Sequence, residues 1–102
     1  MEARTGQTII ENFFSLDVDN NPLSGATFDV VSIKDGFPFT GITVSTTLSD
    51  ASLGLFYASW SADTTGDYQL YIKNNLTNVI YITDRVSVLP DSSFEQNIFI
   101  GL

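Results

Sequence analysis

Apolar and polar positions alternate along this chain with a period of two, and clusters of turn-forming residues interrupt the alternation at intervals of roughly eight to twelve residues. Alternate side chains of a strand point to opposite faces, so this rhythm predicts the strands of an antiparallel sandwich or barrel rather than βαβ units. Seven strands are expected. The first, over 8–18, is predicted to turn Ile10, Asn12, Phe14, Leu16 and Val18 to one side and to leave Ile9 and Phe13 on the outward face. It ends at the turn cluster "DNNPLSG". The second covers 26–34 and stops at "KDGFPFTG"; the third, over 42–48, sets Ile42, Val44 and Leu48 inward. In the fourth, "LFYASW", Phe56, Ala58 and Trp60 share a face, with the tryptophan expected as a core pillar. The fifth, over 67–73, turns Tyr68, Leu70 and Ile72 inward, and a sixth, over 79–88, runs up to Pro90. No ten-residue stretch carries a helical stripe.

The segment "DSSFEQNIFIGL", 91–102, departs from the pattern because Phe94, Ile98, Phe99, Ile100 and Leu102 make it apolar on both faces. Something must cover such a segment. Two readings are open: a seventh strand pairing within its own domain, or an arm laid on a neighbouring subunit. The domain division is therefore 1–90 for one sandwich and 91–102 for the strand or exchanged arm. Ile9 and Phe13, read as outward-facing, join these residues as an expected subunit-contact patch.

At 102 residues the chain holds one domain with one core. Twelve acidic residues against four basic ones give a net charge of -8, a field that repels phosphate backbones and anionic lipid, so neither nucleic acid nor a membrane is an expected partner. "MEARTGQT" has no hydrophobic signal core, which suggests synthesis in the cytoplasm of the producing cell. The chain has no cysteine and no histidine. This removes disulfides, thiolate nucleophiles, the usual general base and the commonest metal ligand, so no enzyme, cofactor or metal is expected.

Two motifs come near chemistry. "DVDNNP" begins like a calcium loop with Asp17, Asp19 and Asn21, but Pro22 stands where the sharp turn needs glycine and Phe28 where a bidentate glutamate belongs, so a strand-connecting turn is the better reading. A looser calcium site, built from Asp19 with Asp63 or Asp84, stays open at this stage. Asp63 and Asp67 lie four apart in "DTTGDYQL" and read as solvated turn carboxylates rather than a catalytic pair. That stretch has the order D-x-x-G-x-Y-x-apolar, which resembles the approach to the penultimate strand of immunoglobulin-like sandwiches, where a tyrosine hydroxyl reaches back to backbone upstream. Tyr68, Gly66 and Trp60 are accordingly expected to form a structural corner.

The longer series "LDVDNNPLSGATFDV", "GLFYASWSADTTGDYQLYIKN" and "DRVSV" resembles the immunoglobulin-like modules of tailed-bacteriophage virion proteins, similar to the amino-terminal domain of baseplate upper proteins. The likeness runs from Leu16 to Val88 and departs where Asn20-Asn21 replaces the usual D-G turn. It implies an all-β, immunoglobulin-like antiparallel β-sandwich of about seven strands. It further implies a non-enzymatic virion protein, a capsid decoration or head or tail accessory component, contacting other virion proteins as a homo-oligomer or lattice. The alternative is an adhesion module that binds a glycan or host surface through Phe37, Phe39 and Tyr57.

Overall fold

The computed structural model describes residues 1–91, and within them the chain is a β-sandwich without a helix. Nine strands form: β1 (Glu2–Arg4), β2 (Ile9–Phe14), β3 (Phe28–Lys34), β4 (Phe37–Pro38), β5 (Ser45–Asp50), β6 (Leu55–Trp60), β7 (Gly66–Asn74), β8 (Ile80–Ile82) and β9 (Val86–Leu89). The larger sheet has the order β1-β9-β7-β3-β4, with β8 also paired to β7, and the smaller has the order β2-β6-β5. This is the B-E-D and G-F-C arrangement of immunoglobulin-like sandwiches, extended by β1, which runs parallel to β9.

The alternation expected in β6 and β7 appears in space. Phe56, Ala58 and Trp60 of one sheet meet Tyr68, Leu70 and Ile72 of the other, all buried. A cluster of aromatic rings fills one half of the core: Phe13 meets Phe28 edge-on at 5.0 Å and lies parallel to Phe56 at 5.9 Å, while Phe28 meets Phe56 at 4.8 Å. Such edge and offset contacts stabilise the pair beyond the area they bury.

The sequence reading of β2 is corrected. Ile9 and Phe13 are buried, whereas Ile10 and Phe14 are exposed, and Val18 lies outside any strand. The strand ends at Phe14. At buried Ser15 the N–H still donates to the Gly54 carbonyl at 2.7 Å, but the Ser15 carbonyl accepts the Leu23 N–H at 2.9 Å, and its hydroxyl donates to the Leu23 carbonyl and accepts from the Asn74 amide, each at 2.9 Å. Because apolar residues occur here in adjacent pairs, Ile9-Ile10 and Phe13-Phe14, either face could have been the inner one. A slip of one residue exchanges them. Ile9 and Phe13 are thus core residues and not part of a subunit-contact patch.

Three further departures follow the edges. The expected sixth strand is broken into β8 and β9, and β1 and β4 are short additions. Leu48, expected inward, shares the inner face with its register partner Phe56 but stays 40% exposed on the edge strand β5, where the register shifts between Leu48 and Asp50. The expected seventh strand, with Phe94, Ile98, Phe99, Ile100 and Leu102, lies outside the described residues.

Candidate functional site

The opening of β7 is built around Tyr68. Its hydroxyl donates to the Thr64 carbonyl at 2.9 Å and lies 2.9 Å from the Thr64 hydroxyl, while its ring, fully buried, sits 5.3 Å from Trp60 and 5.9 Å from Phe39. Gly66 bends the chain into the strand at φ +154°, where a Cβ would press on the Lys34 side chain and the Asp35 carboxylate. Tyr68, Gly66 and Trp60 therefore converge in one corner, with Leu70 at the position a disulfide-bonded immunoglobulin domain gives to cysteine. The arrangement ties a loop to the core and presents no reactive group.

The acidic residues are spent on loops in the same way. Asp35 Oδ1 accepts the Asp67 backbone N–H at 2.9 Å, and Asp67 Oδ1 accepts the Ser87 hydroxyl at 2.7 Å, beside a shallow depression of about 380 Å³ that Arg85 and Gln69 help line. Asp17 Oδ1 accepts the N–H groups of Asp19 and Asn21, both at 2.9 Å, which holds the carboxyl below its ordinary range. Asp19 follows the end of β2 and Asp63 follows the end of β6, at opposite ends of this antiparallel pair. Among the described residues no cluster of three or more potential metal ligands forms. Of the aromatic residues considered for ligand binding, Phe37 is exposed, Phe39 is half-buried under the Lys34 ammonium at 5.0 Å, and Tyr57 is half-buried on β6. Phe37 lies on β4 of the larger sheet and Tyr57 on β6 of the smaller.

The side of the sandwich between β2 and β8 is different. Among the described residues β2 pairs only with β6, and β8 only with β7, so each leaves one edge unpaired. All three residues of β8, Ile80, Tyr81 and Ile82, are exposed. Tyr81 leans over the opening and stacks on Phe13 at 5.9 Å. On the outer face of the larger sheet, register places Val31, Tyr71 and Ile82 in one row across three strands, and they are 50%, 38% and 53% exposed.

Between the two edges lies a cleft of about 280 Å³ floored by Phe13, Phe28 and Ile72. It continues past Leu16, Thr77 and Val79 into an apolar depression of about 500 Å³ beside Val18, Leu23 and Leu76. The band of apolar surface thus wraps from the outer face around β8 and into the sandwich. An uncovered apolar edge strand is a template for another chain.

Glu11, also on β2, lies beside Trp60, Thr83 and Asp84. Its carboxylate accepts Trp60 Nε1–H at 3.1 Å, and partial burial pushes its pKa up, opposed by hydrogen bonds from Trp60 and Thr83 and assisted by the charge of Asp84. Nearby, Thr83 breaks β8 from β9: the Leu70 N–H donates to its hydroxyl at 2.9 Å, its own N–H donates to the Leu70 carbonyl at 3.0 Å, and Gln69 Nε2 donates to its carbonyl at 3.0 Å. A side-chain oxygen stands where a strand carbonyl would be.

Sequence reasoning missed the β8 edge because it read 79–88 as one continuous strand. The polar run Thr83-Asp84-Arg85 was the available signal. No family model matches this chain, and neither a curated protein nor a solved structure matches it.

Proposed function

We propose that this protein is a non-enzymatic structural module of a bacteriophage virion, a capsid decoration or head or tail accessory component that works by contact with neighbouring protein subunits. The observation that carries the contact role is the exposed apolar band on β8, where Ile80, Tyr81 and Ile82 continue into Val31 and Tyr71 on one side and the cleft on the other. Soluble monomers rarely leave contiguous apolar surface of this kind uncovered, and unpaired strand edges add main-chain donors and acceptors to it. The placement in a phage particle is supported by the resemblance of 16–88 to virion sandwich modules and by the immunoglobulin-like strand order. The acidic surface, at -8 overall, favours solubility before docking and keeps the chain off packaged nucleic acid.

Peptide mass spectrometry of purified particles from the phage that encodes the chain tests the placement: peptides of this sequence are expected, and their absence ends the virion reading. The contact role is tested by Ile82→Asp. Ile82 is exposed, so the substitution leaves the thermal transition within about 0.5 kcal/mol of the parent while abolishing incorporation into particles. Unchanged incorporation would remove β8 from the interface.

A further inference from the structure

We propose that the open side between β2 and β8 is the acceptor for residues 94–102 of a second copy of this chain. The inference rests on the contact role above and names the partner of that surface. Among the described residues nothing pairs with the outer edges of β2 and β8, and between them the cleft exposes Phe14, Val79, Leu76 and Val18 at its mouth. A segment that suits it has a row of apolar side chains at every second position. Phe94, Ile98, Ile100 and Leu102 provide that row, with only Gln96 interrupting it.

The length of chain argues for a second copy rather than a fold-back. Val88 is opposite Gly66 and Ile82 is opposite Tyr71, so five residues of β7 separate Val88 from the near end of β8, ~17 Å at ~3.4 Å per residue. The chain runs away from the cleft as it leaves β9, and Asp91 lies up to ~10 Å further on. A reversal must then recover ~27 Å before reaching Ile82, whereas Ile98 is at most ~24 Å along the chain from Asp91. Folding back would bring Ile100 and Leu102 to the cleft and leave Phe94 and Ile98 short of it. A segment arriving from a neighbour carries no such limit, and every apolar residue of the row is placed.

The absence of cysteine from the chain makes the test direct. Full-length Ile98→Cys and Val79→Cys chains are mixed and oxidised, with Phe37→Cys as an exposed control on the far edge of the larger sheet. The expected result is a disulfide-linked dimer for Ile98→Cys with Val79→Cys, at least ten-fold over the yield with Phe37→Cys. Equal yields overturn the proposal. So does a chain carrying both Ile98→Cys and Val79→Cys that closes on itself as a monomer at high dilution, because the segment then folds back on its own cleft.

Light scattering on the full chain and on Ile100→Asp gives a second readout: the variant is expected at 11.2 kDa and the parent at a multiple of it. A chain present in purified particles but monomeric in solution and uncrosslinked would leave the contact role standing and sink this inference. Absence from particles combined with specific crosslinking would end the virion placement and leave this inference standing.

Discussion

Tyr68 concentrates what individual side chains do in this fold. Its ring is enclosed between Trp60 and Phe39, and its hydroxyl is the only polar atom the ring carries into the core, where it donates to Thr64. Tyr68→Phe keeps the ring and deletes the bond, which is expected to cost roughly 1–2 kcal/mol in a denaturant titration. An unchanged midpoint would mean that the hydroxyl does not hold the corner. Glu11 acts in the opposite sense. Burial raises its carboxyl above the ordinary value of 4.5, so the folded state holds that proton more tightly than the unfolded chain does, and ionisation weakens the fold as pH rises through the raised pKa. Glu11→Gln retains an acceptor for Trp60 Nε1 and is expected to raise the melting temperature at pH 7, with the gain shrinking as pH is lowered to 4.5. Asp17 and Asp50 have lowered values, so their contribution is present above 3.8 and is lost as pH falls below it. The acid limb of a stability profile therefore belongs to these loop carboxylates, and the Glu11 effect lies above it.

At the scale of elements, the sequence was most legible where burial and polarity alternate without ambiguity. In β6 and β7 the inward positions Phe56, Ala58, Trp60, Tyr68, Leu70 and Ile72 alternate with the outward Tyr57, Ser59, Gln69, Tyr71 and Lys73, which are polar or amphipathic, and the faces are as the pattern implies. In β2 the pattern was degenerate, and the inner face is the one with more polar residues, Glu11 and Ser15, because each finds a partner inside. No periodicity contains that information, since it depends on Trp60 and Asn74 arriving from distant parts of the chain. The break between β8 and β9 has the same origin. Thr83 offers the buried Leu70 N–H an acceptor that a regular strand would supply from its backbone. Thr83→Val removes that acceptor at nearly constant volume and is expected to destabilise by about 1–3 kcal/mol, with faster hydrogen exchange at Leu70. Unaltered exchange there would show that another acceptor replaces the hydroxyl.

For the molecule as a whole, two features oppose each other: an apolar side that favours association, and a charge of -8 per copy that disfavours it. Raising ionic strength from 0.01 M to 0.15 M shortens the screening length from about 30 Å to about 8 Å, which weakens repulsion between copies and leaves the apolar contact intact. Self-association measured by sedimentation is expected to strengthen over that range and to lose its salt response in Ile82→Asp. Association that weakens with salt would place charge pairs, not the β8 band, at the interface. The corner at Tyr68 was recognisable in the sequence because it is local: Thr64, Gly66 and Tyr68 lie within five consecutive residues. The candidate site was not, because it is made of two strand edges from different sheets.

Composition and alternation by themselves determined that this chain folds as an all-β sandwich, with β6 and β7 facing each other, and that its chemistry lacks histidine and cysteine. These are properties of residues and their nearest neighbours along the chain. Tertiary structure alone decided which face of β2 is buried, that β8 parts from β9, and that an apolar cleft opens between β2 and β8. Each depends on which remote side chain or strand supplies a hydrogen bond or withholds a pairing edge, and that is settled only when the two sheets come together.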